Sequence, residues 1–152
     1  MIQIDIDNRT VLDALNELLH RTGDLAPAMQ DIGGVLESRV RGRFETETDP
    51  GGAHWAPWAD SYDPAKGGNR PTNGNTTILD LYGDMLGSLS WQADQDSVTV
   101  GFGQPYAAYH EFGTKKMKRR GLLFDDPTTG TLAREDEHAI LDIVRGYLAE
   151  AL

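Results

Sequence analysis

The sequence contains no cysteine. That excludes disulfides and thiolate metal sites, and it suits a reducing compartment such as a bacterial cytoplasm. Long hydrophobic runs are also missing: no stretch approaches the roughly 18 apolar residues needed to span a bilayer. The first residues, Met1-Ile2-Gln3-Ile4-Asp5-Ile6, alternate apolar and polar types. They do not join a basic region to an apolar run, so no signal peptide is expected and no membrane partner either. Histidines are scarce and scattered; no two of His20, His54, His110 and His138 lie three or four apart. Basic residues are outnumbered, 14 against 24 acidic, which gives a net charge of -10 over 152 residues. A surface of that sign repels nucleic acid as a whole. The length suits one domain, residues 1–152, able to bury a core without staples.

The few positive charges are unevenly placed. Lys115, Lys116, Lys118, Arg119 and Arg120 put five into six residues, and without them the 14 basic groups fall to 9 against 24 acids. Three readings of this run stay open: a solvated loop, a contact with a neighbouring subunit or partner protein, or a contact with DNA inside a shared channel. Each phosphate contact would add a salt-dependent contribution.

Periodicity predicts an α+β fold. Ile2, Ile4 and Ile6 alternate as in a short strand. A helix follows from Thr10, a plausible N-cap, to about Arg21, with Val11, Leu12, Leu15, Leu18 and Leu19 on its apolar face. Thr22-Gly23-Asp24 breaks it. Asp24 then caps a longer helix with Pro27 in its first turn, where a missing N–H costs little. Leu25, Met29, Ile32, Leu36, Val40 and Phe44 form one stripe along it. Gly33-Gly34 weakens it by about 1 kcal/mol per glycine and implies a bend or a close helix contact.

Residues 48–77 are rich in Gly, Pro, Asn, Asp and Thr and have no sustained period, as a long irregular loop would. Trp55, Trp58 and Tyr62 are expected to pin its first half, with Lys66–Asn75 mobile. Ile78–Leu89 resumes a helical pattern through Ile78, Tyr82, Met85 and Leu89. Leu89–Ala93 and Ser97–Phe102 read as a β-hairpin around Asp94-Gln95-Asp96. Tyr106–Phe112 reads as a short helix ended by Gly113, Leu122-Leu123-Phe124 as a strand, and Leu132 onward as a final helix. The expected architecture is a small, mostly antiparallel sheet packed by a long N-terminal helix and a C-terminal helix. Trp55, Trp58, Tyr106, Tyr109 and Phe112 are expected to be buried anchors. Lys115–Arg120 is expected to be exposed.

No catalytic constellation emerges. Gly101-Phe102-Gly103 follows a strand, but position 106 is Tyr106 where a dinucleotide-binding turn needs glycine. His110-Glu111 begins like a zinc-protease helix, yet the second histidine is replaced by Thr114. Asp60, Asp63, Asp80 and Asp84 offer carboxylates without a partnering pattern, as expected of exposed acids in an acidic chain. Serine-nucleophile and phosphate-loop motifs are absent. No enzymatic activity, cofactor or metal is expected.

Four segments taken together resemble the phage virion morphogenesis family, the tail-completion proteins of Mu-like phages. The first runs from Phe44 through Asp49-Pro50-Gly51-Gly52 to Trp55-Ala56-Pro57-Trp58. The second is Ile78 to Leu89, with a leucine, a polar step, glycine, then leucine and serine. The third is Val98-Thr99-Val100-Gly101 followed by Tyr106-Ala107-Ala108-Tyr109-His110-Glu111-Phe112-Gly113-Thr114, the most specific of the four. The fourth is Arg119-Arg120-Gly121-Leu122-Leu123-Phe124 before the terminal helix; Gly121-Leu122-Leu123 departs from the prolines of many relatives.

The resemblance implies a structural role: a tail-completion or head–tail joining subunit, of the neck or tail-terminator type, that lets a filled head attach. It implies a homo-oligomeric ring, commonly of six subunits, beside neighbouring neck and tail proteins. DNA would at most pass through its channel. The expected location is the virion, and the host cytoplasm during assembly. Ring contacts are heterologous, so two different surfaces must match; the basic run and an acidic face are natural candidates. The alternative is an assembly chaperone or adaptor that is not retained in the virion.

Overall fold

A computed structural model describes residues 9–151. The strand expected over Met1–Ile6 and the last leucine, Leu152, lie outside the described residues. Helix α1, Arg9–Thr22, already contains Thr10, so that residue does not cap it. Val11, Leu15 and Leu18 are buried, while Leu12 and Leu19 stay partly open at the edge of the stripe. Gly23, at φ 71°, ends the helix.

Helix α2, Ala26–Thr46, is the spine of the core. Asp24 accepts a hydrogen bond from the Ala26 N–H at 2.9 Å, and Pro27 occupies the first turn. All six predicted stripe residues, Leu25 to Phe44, are buried. The main contacts of α2 are with both strands and with the C-terminal helix α5, Arg134–Glu150, which also packs on α1. Asp136, in the first turn of α5, pairs with Arg43 and with Arg39, the latter at 2.6 Å. Arg43 also donates to the Leu122 carbonyl at 2.6 Å.

Strands β1, Leu89–Ala93, and β2, Val98–Phe102, pair antiparallel, with Leu89 opposite Phe102 and Ala93 opposite Val98. The fold is thus α+β, with the helices of both chain ends built around a two-stranded sheet. Gly33 meets Trp91 of β1 rather than another helix: an added Cβ would lie 2.2 Å from Trp91 Cε3. The glycine exists to admit the indole.

The helix expected over Ile78–Leu89 shrinks to α3, Asp84–Gly87. Leu79 and Gly83 are left-handed, at φ 64° and 81°. The Leu81 carbonyl, which a continuous helix would aim at Met85, is taken by Asn73 Nδ2 at 2.6 Å. Leu122-Leu123-Phe124 is not a strand either, because its backbone donors go to a side chain. Helix α4, Ala107–Phe112, ends at Gly113, whose φ of 74° suits glycine and where an added Cβ would lie a tight 3.1 Å from the Arg119 backbone nitrogen.

Candidate functional site

The basic run does not project as one loop. Arg119 turns inward: Nε donates to the Glu111 carbonyl at 2.7 Å and Nη2 to the Phe124 carbonyl at 2.6 Å. Arg120 ties down the long loop, donating to the Ala56 carbonyl at 2.8 Å and the Pro57 carbonyl at 2.7 Å. Both are half-buried; only Lys115, Lys116 and Lys118 are exposed. The expectation of full exposure over Lys115–Arg120 is therefore corrected for the two arginines. The flexible ammonium side chains stay in water, while the planar guanidiniums each bridge two carbonyls.

Glu111 is the residue that sequence reasoning missed. It is fully buried, and its carboxylate accepts three consecutive backbone N–H groups: Leu122 at 2.5 Å, Leu123 at 3.1 Å and Phe124 at 2.8 Å. Arg119 lies 3.6 Å away and balances its charge. Three buried donors without sheet partners would otherwise each cost about 1–3 kcal/mol. Glu111 is therefore structural. No spacing pattern signals it, since a lone acid on a short helix looks solvated.

Loop 48–77 is anchored at several points. Trp55 is buried against Phe44, with ring centroids 5.3 Å apart, and donates Nε1–H to the Gly121 carbonyl at 2.9 Å. Trp58 is half-buried and carries Arg70 on its face, the guanidinium carbon 4.3 Å from the ring centroid. Arg70, expected in a mobile stretch, is only 6% exposed and donates to the Asn75 carbonyl at 2.6 Å.

The other anchors are on the surface. Tyr106 is 39% exposed, Phe112 50% and Tyr109 59%, against the expectation of burial. Helix α4 buries Ala107 and Glu111 instead, which turns its aromatic side outward. A half-buried six-residue helix has too few turns for its period to tell one face from the other.

Between the long loop, the Ile78–Met85 segment, α4 and the basic run lies a cleft of about 760 Å³. Trp58, Tyr82 and Tyr106 line it, with Arg70, Lys116, Lys118 and Arg120 as its cations and Asp60, Asp80 and Asp84 as its acids. Lys66 holds Asp60 at 2.7 Å. Three buried polar atoms of the lining have no hydrogen-bond partner among the described residues: Arg70 Nη2, Asp80 Oδ1 and His110 Nδ1. Burial lowers the His110 pKa, and the Arg120 charge adds to the effect. Burial likewise raises Tyr106, helped by Asp84, and lowers Arg120. Both groups keep their ordinary charge near neutrality. Among the described residues no cluster of three or more His, Asp or Glu is placed to hold a metal ion. No described helix is long and apolar enough to cross a membrane.

The chain is 30% identical over 148 residues to the Mu-like prophage FluMu G protein 2 of Haemophilus influenzae, covering 97% of this chain and 96% of that protein. It is 29% identical over 153 residues to the "Putative capsid assembly protein G" of Escherichia phage Mu, covering 99% and 96%. No solved structure gives a significant match. A family model described as the phage virion morphogenesis family matches residues 6–149, nearly the whole chain. The chain belongs to the phage virion morphogenesis family.

Proposed function

We propose that this protein is a non-enzymatic structural subunit of a tailed phage, which completes the tail or joins it to the head as part of a homo-oligomeric ring. The observation that carries the reading is the surface around α4. Tyr62, Tyr82, Tyr106, Tyr109 and Phe112 are all exposed, although the core accommodates Trp55, Phe44 and Phe102. Exposed aromatics beside a cleft are the composition of protein interfaces, where Tyr and Trp carry much of the binding energy. Nothing in the cleft pairs a nucleophile with a base at hydrogen-bond distance, so its chemistry favours holding a partner over transforming a substrate. The subunit would sit at the head–tail junction of the virion beside other neck and tail proteins, after assembly in the host cytoplasm.

Mass spectrometry of purified virions tests the role. One ring's worth of copies per particle, with tailless heads and free tails when the protein is absent, is the expected result. A second reading, an assembly factor that leaves before completion, draws on the printed name of the phage Mu relative, which speaks of capsid assembly. Complete absence from finished virions, with the same assembly defect, would select that second reading.

A further inference from the structure

The three unpartnered atoms in the cleft differ in kind. Arg70 Nη2 is a donor, Asp80 Oδ1 an acceptor, and the ring nitrogen of His110 takes either role. A DNA backbone brings acceptors only and offers no donor to Asp80 Oδ1. A peptide brings carbonyls, side-chain carboxylates and N–H donors together. The cleft volume, about 760 Å³, falls within the range of about 300–1,000 Å³ common for ligand sites.

An occupant of matching chemistry stands at the other end of the hairpin. The turn Asp94–Ser97 is closed by the Asp94 N–H donating to the Ser97 carbonyl at 2.8 Å. Asp94, Gln95 and Asp96 are exposed, and neither acid makes an ion pair among the described residues. Such a four-residue turn is narrow, its ends less than about 7 Å apart. The cleft lies by the opposite end, where Met85 leads into β1 and Tyr106 follows β2. Four residue steps of strand separate the two ends, about 14 Å. A subunit thus carries donor and acceptor on opposed surfaces, the geometry of a head-to-tail contact that repeats in one direction.

We propose that the acidic hairpin tip of one copy, Asp94–Ser97, docks in the Arg70–Lys116–Lys118 cleft of the next copy. The tip carboxylates meet Arg70 and the two lysines, and its backbone N–H groups meet Asp80. The inference rests on the self-association part of the function proposed above and names the contact that would build it.

Two full-length variants test it by sedimentation velocity over a concentration series. The tip variant carries Asp94→Lys and Asp96→Lys, and the cleft variant Lys116→Glu and Lys118→Glu. All four side chains are exposed, so the fold should survive, and circular dichroism checks this. Wild type is expected to associate, and each variant alone to associate at least about tenfold more weakly, since like charges then face each other. An equimolar mixture of the variants is expected to associate more strongly than either variant alone, because every tip then meets a cleft of opposite charge. The acidic tip of the cleft variant meets the intact cleft of the tip variant, and the lysine-bearing tip of the latter meets the glutamate-bearing cleft of the former. Variants that assemble like wild type would overturn the contact while leaving a ring built on other surfaces. A mixture that stays monomeric while wild type assembles would overturn it too. A wild type monomeric at every attainable concentration would refute self-docking by this contact, and the virion role would then stand or fall on particle composition alone.

Discussion

Glu111 is a single side chain that replaces a strand partner. Its carboxylate holds the Leu122, Leu123 and Phe124 N–H groups, and with Arg119 it fixes the path of the chain after the basic run. Truncation to alanine leaves three buried donors unpaired and removes the carboxylate that balances the half-buried Arg119. Glu111→Ala is therefore expected to lower the unfolding free energy by roughly 3–5 kcal/mol, as for a broken buried ion pair. Glu111→Gln keeps one good acceptor and should lose less. Urea denaturation of both variants checks the order; an alanine variant as stable as wild type would mean that water takes over the three donors.

His110, the neighbouring residue, makes stability depend on pH. Its pKa lies below the ordinary 6.5 because burial and the Arg120 charge disfavour the imidazolium. The unfolded chain therefore binds the proton more readily than the folded one. The stability attached to neutral His110 is fully present above 6.5 and is lost as pH falls from there through the depressed folded value. Thermal melts of wild type and His110→Gln between neutral and mildly acidic pH should diverge in that window, wild type falling more steeply. Parallel curves would show that the group titrates alike in both states.

At the scale of elements, α2 was fully legible. Its stripe from Leu25 to Phe44 repeats every three or four residues, and burial follows it without exception. What the stripe hides is the purpose of Gly33. A helical glycine normally gains about 0.5–1 kcal/mol on replacement by alanine. Gly42, with nothing within 4 Å of an added Cβ, should behave so. A Cβ added at Gly33 would lie 2.2 Å from the Trp91 ring, so Gly33→Ala must displace the indole and is expected to cost roughly 1–3 kcal/mol. Opposite shifts in melting temperature, on the order of 2–4 °C per kcal/mol, would confirm the pair. Equal stabilisation by both would mean that Trp91 repacks freely.

Two elements depart from their local sequence pattern for one reason. Ile78–Leu89 has helical spacing and Leu122–Phe124 has strand composition, yet neither keeps its backbone hydrogen bonds local. Asn73 takes the Leu81 carbonyl, and Glu111 takes the three N–H groups from a distance of 11 to 13 residues. The short helix α4 lies where its sequence predicts, but its aromatic side faces out instead of into the core.

Across the whole molecule, the charge of -10 governs what the exposed cations can do. Arg119 and Arg120 are spent on internal carbonyls, which leaves Lys115, Lys116 and Lys118 as the exposed part of the run. Three lysines on a strongly acidic body are too few to hold a duplex. Filter binding at low salt is expected to retain no DNA, and Ser replacement of the three lysines to change nothing. Retention that disappears in the triple variant would favour a channel-facing loop over the docking surface.

The order of α1, α2, the hairpin, α4 and α5, the helical stripe of α2 and the family resemblance were determined by the sequence alone, because they rest on local periodicity and local motifs. The placement of Glu111, the inward turn of Arg119 and Arg120, the exposure of Tyr106, Tyr109 and Phe112, and the cleft were decided only by the tertiary structure. Each depends on which distant group reaches a backbone donor or carbonyl first, and that competition is settled by packing.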